Sequence, residues 1–137
     1  MPTAEKQVAF ALRWLTKAKS DLAVARLVLQ RDPEMEPWLA AYHAQQAAEK
    51  SLKALLIARS IEPDRKHDLV KLSEGLPAGL DSGASSQELA TLSKYSSDVR
   101  YSGPYEQVRE PTWEEAEAAV ATARSVFDAA TAQIRGT

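Results

Sequence analysis

Residues 42–53 read Tyr-His-Ala-Gln-Gln-Ala-Ala-Glu-Lys-Ser-Leu-Lys, and their surroundings place this stretch in the middle of a buried helix. At about 100° per residue, one face of that helix is polar and carries Tyr42, Gln46, Glu49 and Lys53. The opposite face is apolar and carries Ala41, Ala44, Ala48, Leu52 and Leu55. Because an unpaired buried polar group costs about 1–3 kcal/mol, the polar stripe requires partners in the chain, in a second subunit or in a ligand.

Two other segments have apolar residues spaced alternately three and four positions apart, which is typical of helices facing a bundle core. The first segment runs from about residue 4 to 30 and carries Val8, Ala11, Leu15, Ala18, Leu22, Ala25 and Leu29. The last follows a capping box formed by Thr112 and Glu115. Its apolar residues are Trp113, Ala116, Val120, Ala123, Phe127, Ala130 and Ile134.

Turn-forming residues set the bounds of the remaining elements. The second helix is predicted from Pro37 to about residue 60, and a short helix from about 66 to 74. A fourth helix begins after Ser85 or Ser86 and extends to Val99. Glycines and a proline at 75–83 predict a flexible, poorly packed connection before it. The expected fold is one all-α domain over residues 1–137, an antiparallel up-and-down bundle of four long helices and one short helix.

The composition excludes several classes of protein. The chain has 137 residues, a net charge of −2 and no cysteine, which excludes disulfides, thiolate catalysis and cysteine-ligated zinc. The charge argues against coating nucleic acid through bulk electrostatics, although a local basic site stays possible. No apolar run approaches the ~20 residues that span a bilayer, and no signal-peptide core is found. A cytoplasmic protein without membrane contact is expected.

The polar residues Gln45, Gln46, Glu49, Lys50 and Lys53 allow two interpretations. Glu49 and Lys53 stand four positions apart in the favourable order, so they can form a helix-stabilising pair on a solvated face. Alternatively, the cluster is a partly buried seam that orients a basic residue or binds an anion. The flanking apolar residues favour the second interpretation.

The two histidines give no sign of a metal site, because neither shares ligand spacing with carboxylates. Asp68 is expected in the first turn of the short helix, where negative charge is favoured, and His67 beside it is either a surface group or functional. His43 is expected toward the outer face of its helix. No cofactor is predicted.

Arg100 and Tyr101 lie where the fourth helix is expected to break. An arginine there either complements the helix C-terminus or grips a phosphate through its bidentate guanidinium. Tyr101 and Tyr105 flank Gly103 and Pro104 and could stack on a base. The residues alone leave both interpretations open.

Four blocks of the chain together resemble the HEPN domain family (higher eukaryotes and prokaryotes nucleotide-binding). They are Trp14-Leu15 with Ala18 and Asp21-Leu22, the long block 42–56, His67-Asp68-Leu69, and Val99-Arg100-Tyr101. The resemblance implies a small antiparallel helical bundle, commonly a homodimer. It also implies a minimal nucleotidyltransferase as a partner, in a complex of toxin–antitoxin type.

Some members of that family are metal-independent ribonucleases, in which four to six residues separate an arginine from a following histidine. Here the corresponding window after Arg100 holds Tyr105, Glu106 and Gln107, and it lacks histidine, the residue suited to proton transfer near neutral pH. The resemblance therefore favours nucleotide or RNA binding without cleavage. Binding is assigned to Arg100, Tyr101, Lys50, Lys53 and His67, and a supporting polar seam to Tyr42, Gln46 and Glu49. The alternatives are an adaptor homodimer without ligand and a ribonuclease that uses His67.

Overall fold

The computed structural model describes residues 3–65, 67–96 and 109–136. Within these ranges the chain forms five helices and no strand. The helices are α1 (Ala4–Val28), α2 (Pro37–Ala58), α3 (Leu69–Glu74), α4 (Ser86–Ser93) and α5 (Trp113–Arg135). The all-α prediction is confirmed. None of the helices in these ranges is long and apolar enough to cross a membrane.

The helices run up and down, as the contacts at their ends show. Leu15 of α1 clusters with Leu55 of α2 and Ile134 of α5, so the start of α1 meets the ends of α2 and α5. At the other end, Arg31 just after α1 forms an ion pair of 2.7 Å with Glu117 in the first turns of α5. Helix α1 is therefore antiparallel to both α2 and α5.

Helix α4 completes the alternation. The chain enters it beside the middle of α5, where Ser125 Oγ donates a hydrogen bond to the Gly83 carbonyl. It leaves beside the start of α5, where Tyr95 lies close to Glu115. Helix α4 is thus antiparallel to α5.

Helix α2 is the most enclosed element and forms the centre of the core. Small residues allow the close approach of its neighbours: Ala40, Ala41, Ala44, Ala47, Ala48 and Ala54 are all fully buried. In α1 the predicted apolar stripe is buried from Ala11 to Ala25, and Val28 rather than Leu29 completes it. In α5 the predicted stripe also faces the core, with Trp113 and Phe127 only partly buried.

Capping side chains fix where the shorter helices begin. Asp68 accepts hydrogen bonds from the backbone N–H groups of Val70 and Lys71, so α3 begins at Leu69 rather than near residue 66. Ser85, not Ser86, caps α4 in a complete capping box with Glu88. Helix α4 ends at Ser93, short of the predicted end at Val99, so it is not a long helix in the part of the chain that the structure describes.

The end of the connection between α3 and α4 is packed against α5, and the prediction of a poorly packed segment is wrong there, whereas a Cβ on Gly79 would meet nothing within 4 Å. Gln133 Oε1 accepts from the Asp81 N–H at 2.8 Å, and Gln133 Nε2 donates to the Asp81 carbonyl at 2.7 Å. Gly83 has φ +87°, and a Cβ there would lie 2.6 Å from the Ser125 carbonyl oxygen. The glycine that suggested flexibility is needed for close approach to the helix.

Candidate functional site

A buried carboxylate organises the middle of α2. Glu49 is 6% exposed. Its Oε1 accepts hydrogen bonds from Gln45 Nε2 at 3.0 Å and His67 Nδ1 at 2.7 Å, and its Oε2 accepts from Lys53 Nζ at 3.0 Å. The predicted pair of Glu49 and Lys53 is therefore formed, and the solvated-face interpretation is wrong for it. We call Gln45, Gln46, Glu49, Lys53 and His67 the Glu49 cluster.

The two glutamines extend this cluster to the segment before α3. Gln45 is fully buried, and its Nε2 also reaches the His67 carbonyl at 3.4 Å. Its Oε1 accepts a hydrogen bond of 2.7 Å from Gln46 Nε2. The buried Gln45 amide thus has partners for both its donor and its acceptor within one chain.

The protonation state of Glu49 follows from these contacts. Burial raises the pKa of its carboxyl, but hydrogen bonds from Gln45, Lys53 and His67 outweigh burial and hold the pKa below its ordinary value. The group is therefore a carboxylate at neutral pH. Because a carboxylate only accepts hydrogen bonds, Nδ1 of His67 must carry the proton that it donates.

A second cluster joins α1 to the neighbouring side of α2. Asp21 Oδ1 accepts from His43 Nδ1 at 2.9 Å, and Oδ2 accepts from Lys50 Nζ. Burial raises the pKa of Asp21, and the bonds from His43 and Lys50 lower it further than burial raises it. We call these three residues the Asp21 cluster. His43 faces α1 here, instead of the outer surface that the sequence predicted.

The remaining predicted site residues are dispersed. Lys50 contacts Asp21, whereas Lys53 contacts Glu49, so the two lysines serve different carboxylates. Tyr42 lies one turn before Gln46 and lines a separate cleft. Arg100 and Tyr101, like Tyr105, lie outside the described residues.

That cleft lies between the start of α2, the end of α4 and the start of α5. It encloses about 270 Å³. We call it the aromatic cleft; its lining residues are Trp38, Tyr42, Thr91, Lys94, Tyr95, Arg109, Pro111 and Glu115. The guanidinium of Arg109 forms a bidentate pair with Glu115, at 2.9 and 2.8 Å, and this pair lowers the pKa of Glu115 to about 2.

The described ranges contain no group of three or more histidine, aspartate or glutamate side chains that could hold a metal ion. Each of the two clusters combines one carboxylate with an imidazole and an ammonium group. Such groups can bind phosphate or transfer protons.

Asp21 contributed to the family resemblance but was given no role in a site from the sequence, and most of the aromatic cleft was missed. Asp21 lies beside Leu22 in the buried stripe of α1, and a carboxylate at that position is a signal for a partner on the next helix. Trp38 and Tyr42 stand four positions apart and so share a face of α2. The contributions of Lys94 and Arg109 depend on tertiary structure, and no local pattern marks them.

The model of the HEPN domain family matches residues 11–133. The chain belongs to the HEPN domain family. Its fold is similar to TT1696 from Thermus thermophilus, at 27% identity and a TM-score of 0.73 over 88% of this chain and 95% of the other. It is also similar to ST0689, an archaeal HEPN homologue, at 26% identity and a TM-score of 0.69 over 98% and 99% of the two chains. A search of curated proteins gives no match.

Within this HEPN domain, residues 42–56 of α2 contribute side chains to both polar clusters. The Glu49 cluster lies on one side of the helix and contacts the segment before α3. The Asp21 cluster lies on the side that faces α1. The block that carries the family resemblance is thus also the block with the densest buried polar chemistry in the described residues.

Proposed function

We propose that this HEPN domain binds a nucleotide or RNA through the face of α2 that carries the Glu49 cluster. The observation that supports this proposal is the buried Glu49 carboxylate, which holds an ammonium and an imidazole side by side. The Lys53 ammonium can donate hydrogen bonds to phosphate oxygens, and His67 can donate one from Nε2 when both of its ring nitrogens carry protons. Arg100 is assigned to the same ligand as a bidentate phosphate contact, on the strength of its place in the sequence motif.

Lys53 has capacity left for a ligand. An ammonium group has three donors, and within the described ranges Lys53 Nζ makes one hydrogen bond, to Glu49 Oε2. His67 is 38% exposed at its side chain, so an incoming phosphate can approach it. Lys50, which the sequence also assigned to binding, has its ammonium against Asp21 and is proposed to make a smaller contribution.

The binding proposal is tested by thermal shift with ATP, GTP and short RNA. The native protein is expected to be stabilised by at least one of these ligands, because a ligand that binds only the folded state raises its stability. Lys53→Ala and Arg100→Ala should each reduce the shift. Lys71→Ala, which removes an exposed lysine from α3, is the matched control and should leave the shift unchanged. No shift with any ligand would contradict the proposal.

We further propose that the domain acts as a homodimer together with a minimal nucleotidyltransferase, in a system of toxin–antitoxin type. This extension rests on the family resemblance. The mass in solution tests the dimer, and co-expression with the product of the neighbouring reading frame tests the partner. A monomer that co-purifies with nothing would contradict it.

A second candidate function is metal-independent RNA cleavage with His67 as the proton-transfer group. It is supported by the bond from His67 Nδ1 to Glu49, because a buried carboxylate that orients an imidazole is a common arrangement in general acid–base catalysis. Cleavage of RNA in the presence of a chelator, lost in His67→Ala, is the expected result. Intact RNA after incubation with native protein would overturn this candidate.

The adaptor hypothesis has weaker support. It requires the polar stripe of α2 to find its partners across a subunit interface, whereas Gln45 and Glu49 have theirs within one chain. An adaptor role therefore depends on other surfaces.

A further inference from the structure

We infer that the aromatic cleft is a second ligand site, which holds the base of a nucleotide while a cation at its rim holds the phosphate. This inference rests on the proposed nucleotide or RNA binding but places the base in a different part of the molecule. The contributing residues are Trp38, Tyr42, Tyr95, Lys94 and Arg109.

The walls of the cleft suit a planar ring. Trp38 and Tyr42 are one turn apart on α2, and Tyr95 follows the end of α4, so aromatic side chains reach the cleft from two elements. All three residues are partly buried rather than enclosed. Bases stack favourably on such side chains whatever their sequence.

The volume of the cleft limits the size of its occupant. Pockets for small molecules usually enclose roughly 300–1,000 Å³. At about 270 Å³, the aromatic cleft lies just below this range. It therefore accommodates one base, with the sugar and phosphate at the rim, and not several stacked nucleotides.

The charges at the rim select an anionic ligand. Within the described residues Lys94 is an exposed lysine with no ion-pair partner. Arg109 is 72% exposed at its side chain, and Glu115 holds its guanidinium plane in place. Among the described residues that line the cleft, Glu115 is the only acid, and it is already paired with Arg109. A cationic ligand such as a methylated lysine would thus meet the uncompensated charge of Lys94, whereas a phosphate finds donors on Lys94 and Arg109.

Tyr95 adds a neutral hydrogen-bonding group. Burial raises the pKa of its phenol, and the nearby Glu115 carboxylate raises it further. The hydroxyl therefore remains protonated and can donate a hydrogen bond to a base or ribose oxygen.

The experiment is calorimetric titration of the full chain with AMP, adenosine and ribose 5-phosphate. AMP should bind more tightly than either fragment, because only AMP offers both a ring and a phosphate. Equal affinity for AMP and both fragments, or no binding of AMP, would overturn the inference. Short RNA with and without a 5′-phosphate distinguishes a free nucleotide from a strand end as the source of the same chemistry.

Variants then place the ligand in the cleft. Trp38→Ala should weaken AMP binding about tenfold, whereas Trp38→Phe, which keeps a stacking surface, should stay near native. Lys94→Ala should also cost about tenfold, and the preference for AMP over adenosine should shrink with it. Phe10→Ala at the opposite end of the bundle and Lys71→Ala are the matched controls, and both should bind as native.

The same titration separates this inference from the proposed function. If Arg100→Ala and Lys53→Ala lose AMP or RNA binding while Trp38→Ala and Lys94→Ala keep it, the cleft inference fails and the proposed function stands. If only the cleft variants lose binding, the cleft is the site and the Glu49 cluster is not.

Discussion

The Asp21 and Glu49 clusters have the same parts arranged for different purposes. In each, one carboxylate accepts a hydrogen bond from a histidine Nδ1 with one oxygen and from a lysine Nζ with the other. Asp21 reaches from α1 to two residues of α2. Glu49 takes its lysine from the next turn of its own helix and its histidine from the segment before α3. The first cluster therefore fastens two long helices, and the second shapes a local surface.

The clusters also differ in burial and in the number of donors. The side chain of Glu49 is 7% exposed and receives a third hydrogen bond, from the fully buried Gln45. The side chain of Asp21 is 12% exposed and has two partners, each about one-quarter exposed. Because water compensates lost contacts less well at a buried site, removing the Glu49 charge should cost more than removing that of Asp21.

The largest effect is expected for Glu49→Gln. The change keeps the size of the side chain but leaves the ammonium of Lys53 without its counter-charge, so the free energy of unfolding should fall by about 3 kcal/mol. Urea titration followed by circular dichroism measures this loss.

Glu117→Gln is the matched control for that substitution. Glu117 pairs with Arg31 on the surface, where both side chains are about half exposed. Its replacement should change stability by less than about 1 kcal/mol. Equal losses in Glu49→Gln and Glu117→Gln would contradict the view that burial makes the Glu49 cluster contribute more to the free energy of unfolding than a surface ion pair does.

Asp21→Asn should be the next most damaging change, with a loss of about 2 kcal/mol. The cluster holds α1 against α2, so amide hydrogens of α1 should also exchange faster than those of α5. Hydrogen exchange with mass spectrometry reads out both helices in one experiment. Asp128→Asn, which breaks an exposed pair with Arg124 inside α5, serves as the control. Uniform acceleration over all helices would show that Asp21 has no particular role between α1 and α2.

Replacing either histidine should destabilise the protein less than replacing its carboxylate. The order should be reversed: His43, the partner of Asp21, should matter more than His67, the partner of Glu49. His43 is 24% exposed and His67 38% exposed at their side chains. We expect His43→Ala to lose about 1 kcal/mol and His67→Ala less, because water replaces the more exposed contact more easily. Thermal unfolding of the two variants ranks them. A larger loss for His67→Ala would mean that His67 contributes to the fold beyond its bond with Glu49.

The sequence predicted the fold well because local signals determine most of it. Apolar spacing placed the stripes of α1 and α5, and Thr112 with Glu115 marked the start of α5, as its complete capping box confirms. The errors arose where contacts between distant parts of the chain determine the local conformation. Gly83 reads as a flexible position until its approach to Ser125 is known. The choice between Ser85 and Ser86 is different, because only Ser85 stands three positions before a glutamate, Glu88, and local spacing therefore favours it as the cap.

The site was predicted less completely, for a related reason. The pair of Glu49 and Lys53 is local and was found from spacing. Its contact with His67 crosses 18 positions, and the partnership of Asp21 with Lys50 crosses 29. Such contacts depend on how helices pack, so residue types indicate that a partner is needed without naming it. Arg100 and Tyr101, which lie outside the described residues, stay predictions.

The smallest expected effect is on the free energy of unfolding at acidic pH, where the Glu49 and Asp21 clusters can be compared as their carboxylates become protonated. Both Glu49 and Asp21 have a pKa below the ordinary values of 4.5 and 3.8, so each carboxyl binds protons more readily in the unfolded chain. Their contribution is fully present above those values and is lost as the pH falls through the lowered pKa of the folded state. The native protein should therefore lose stability below about pH 4.5.

The gap in free energy of unfolding between native and Glu49→Gln should narrow over the same range, since protonation removes the charge that the substitution removes. For Asp21→Asn the gap should begin to narrow at lower pH, from about 3.8 downward. Chemical unfolding at a series of pH values measures both gaps, and a gap that stays constant into acid would show that neither carboxylate gains its stability from being ionised.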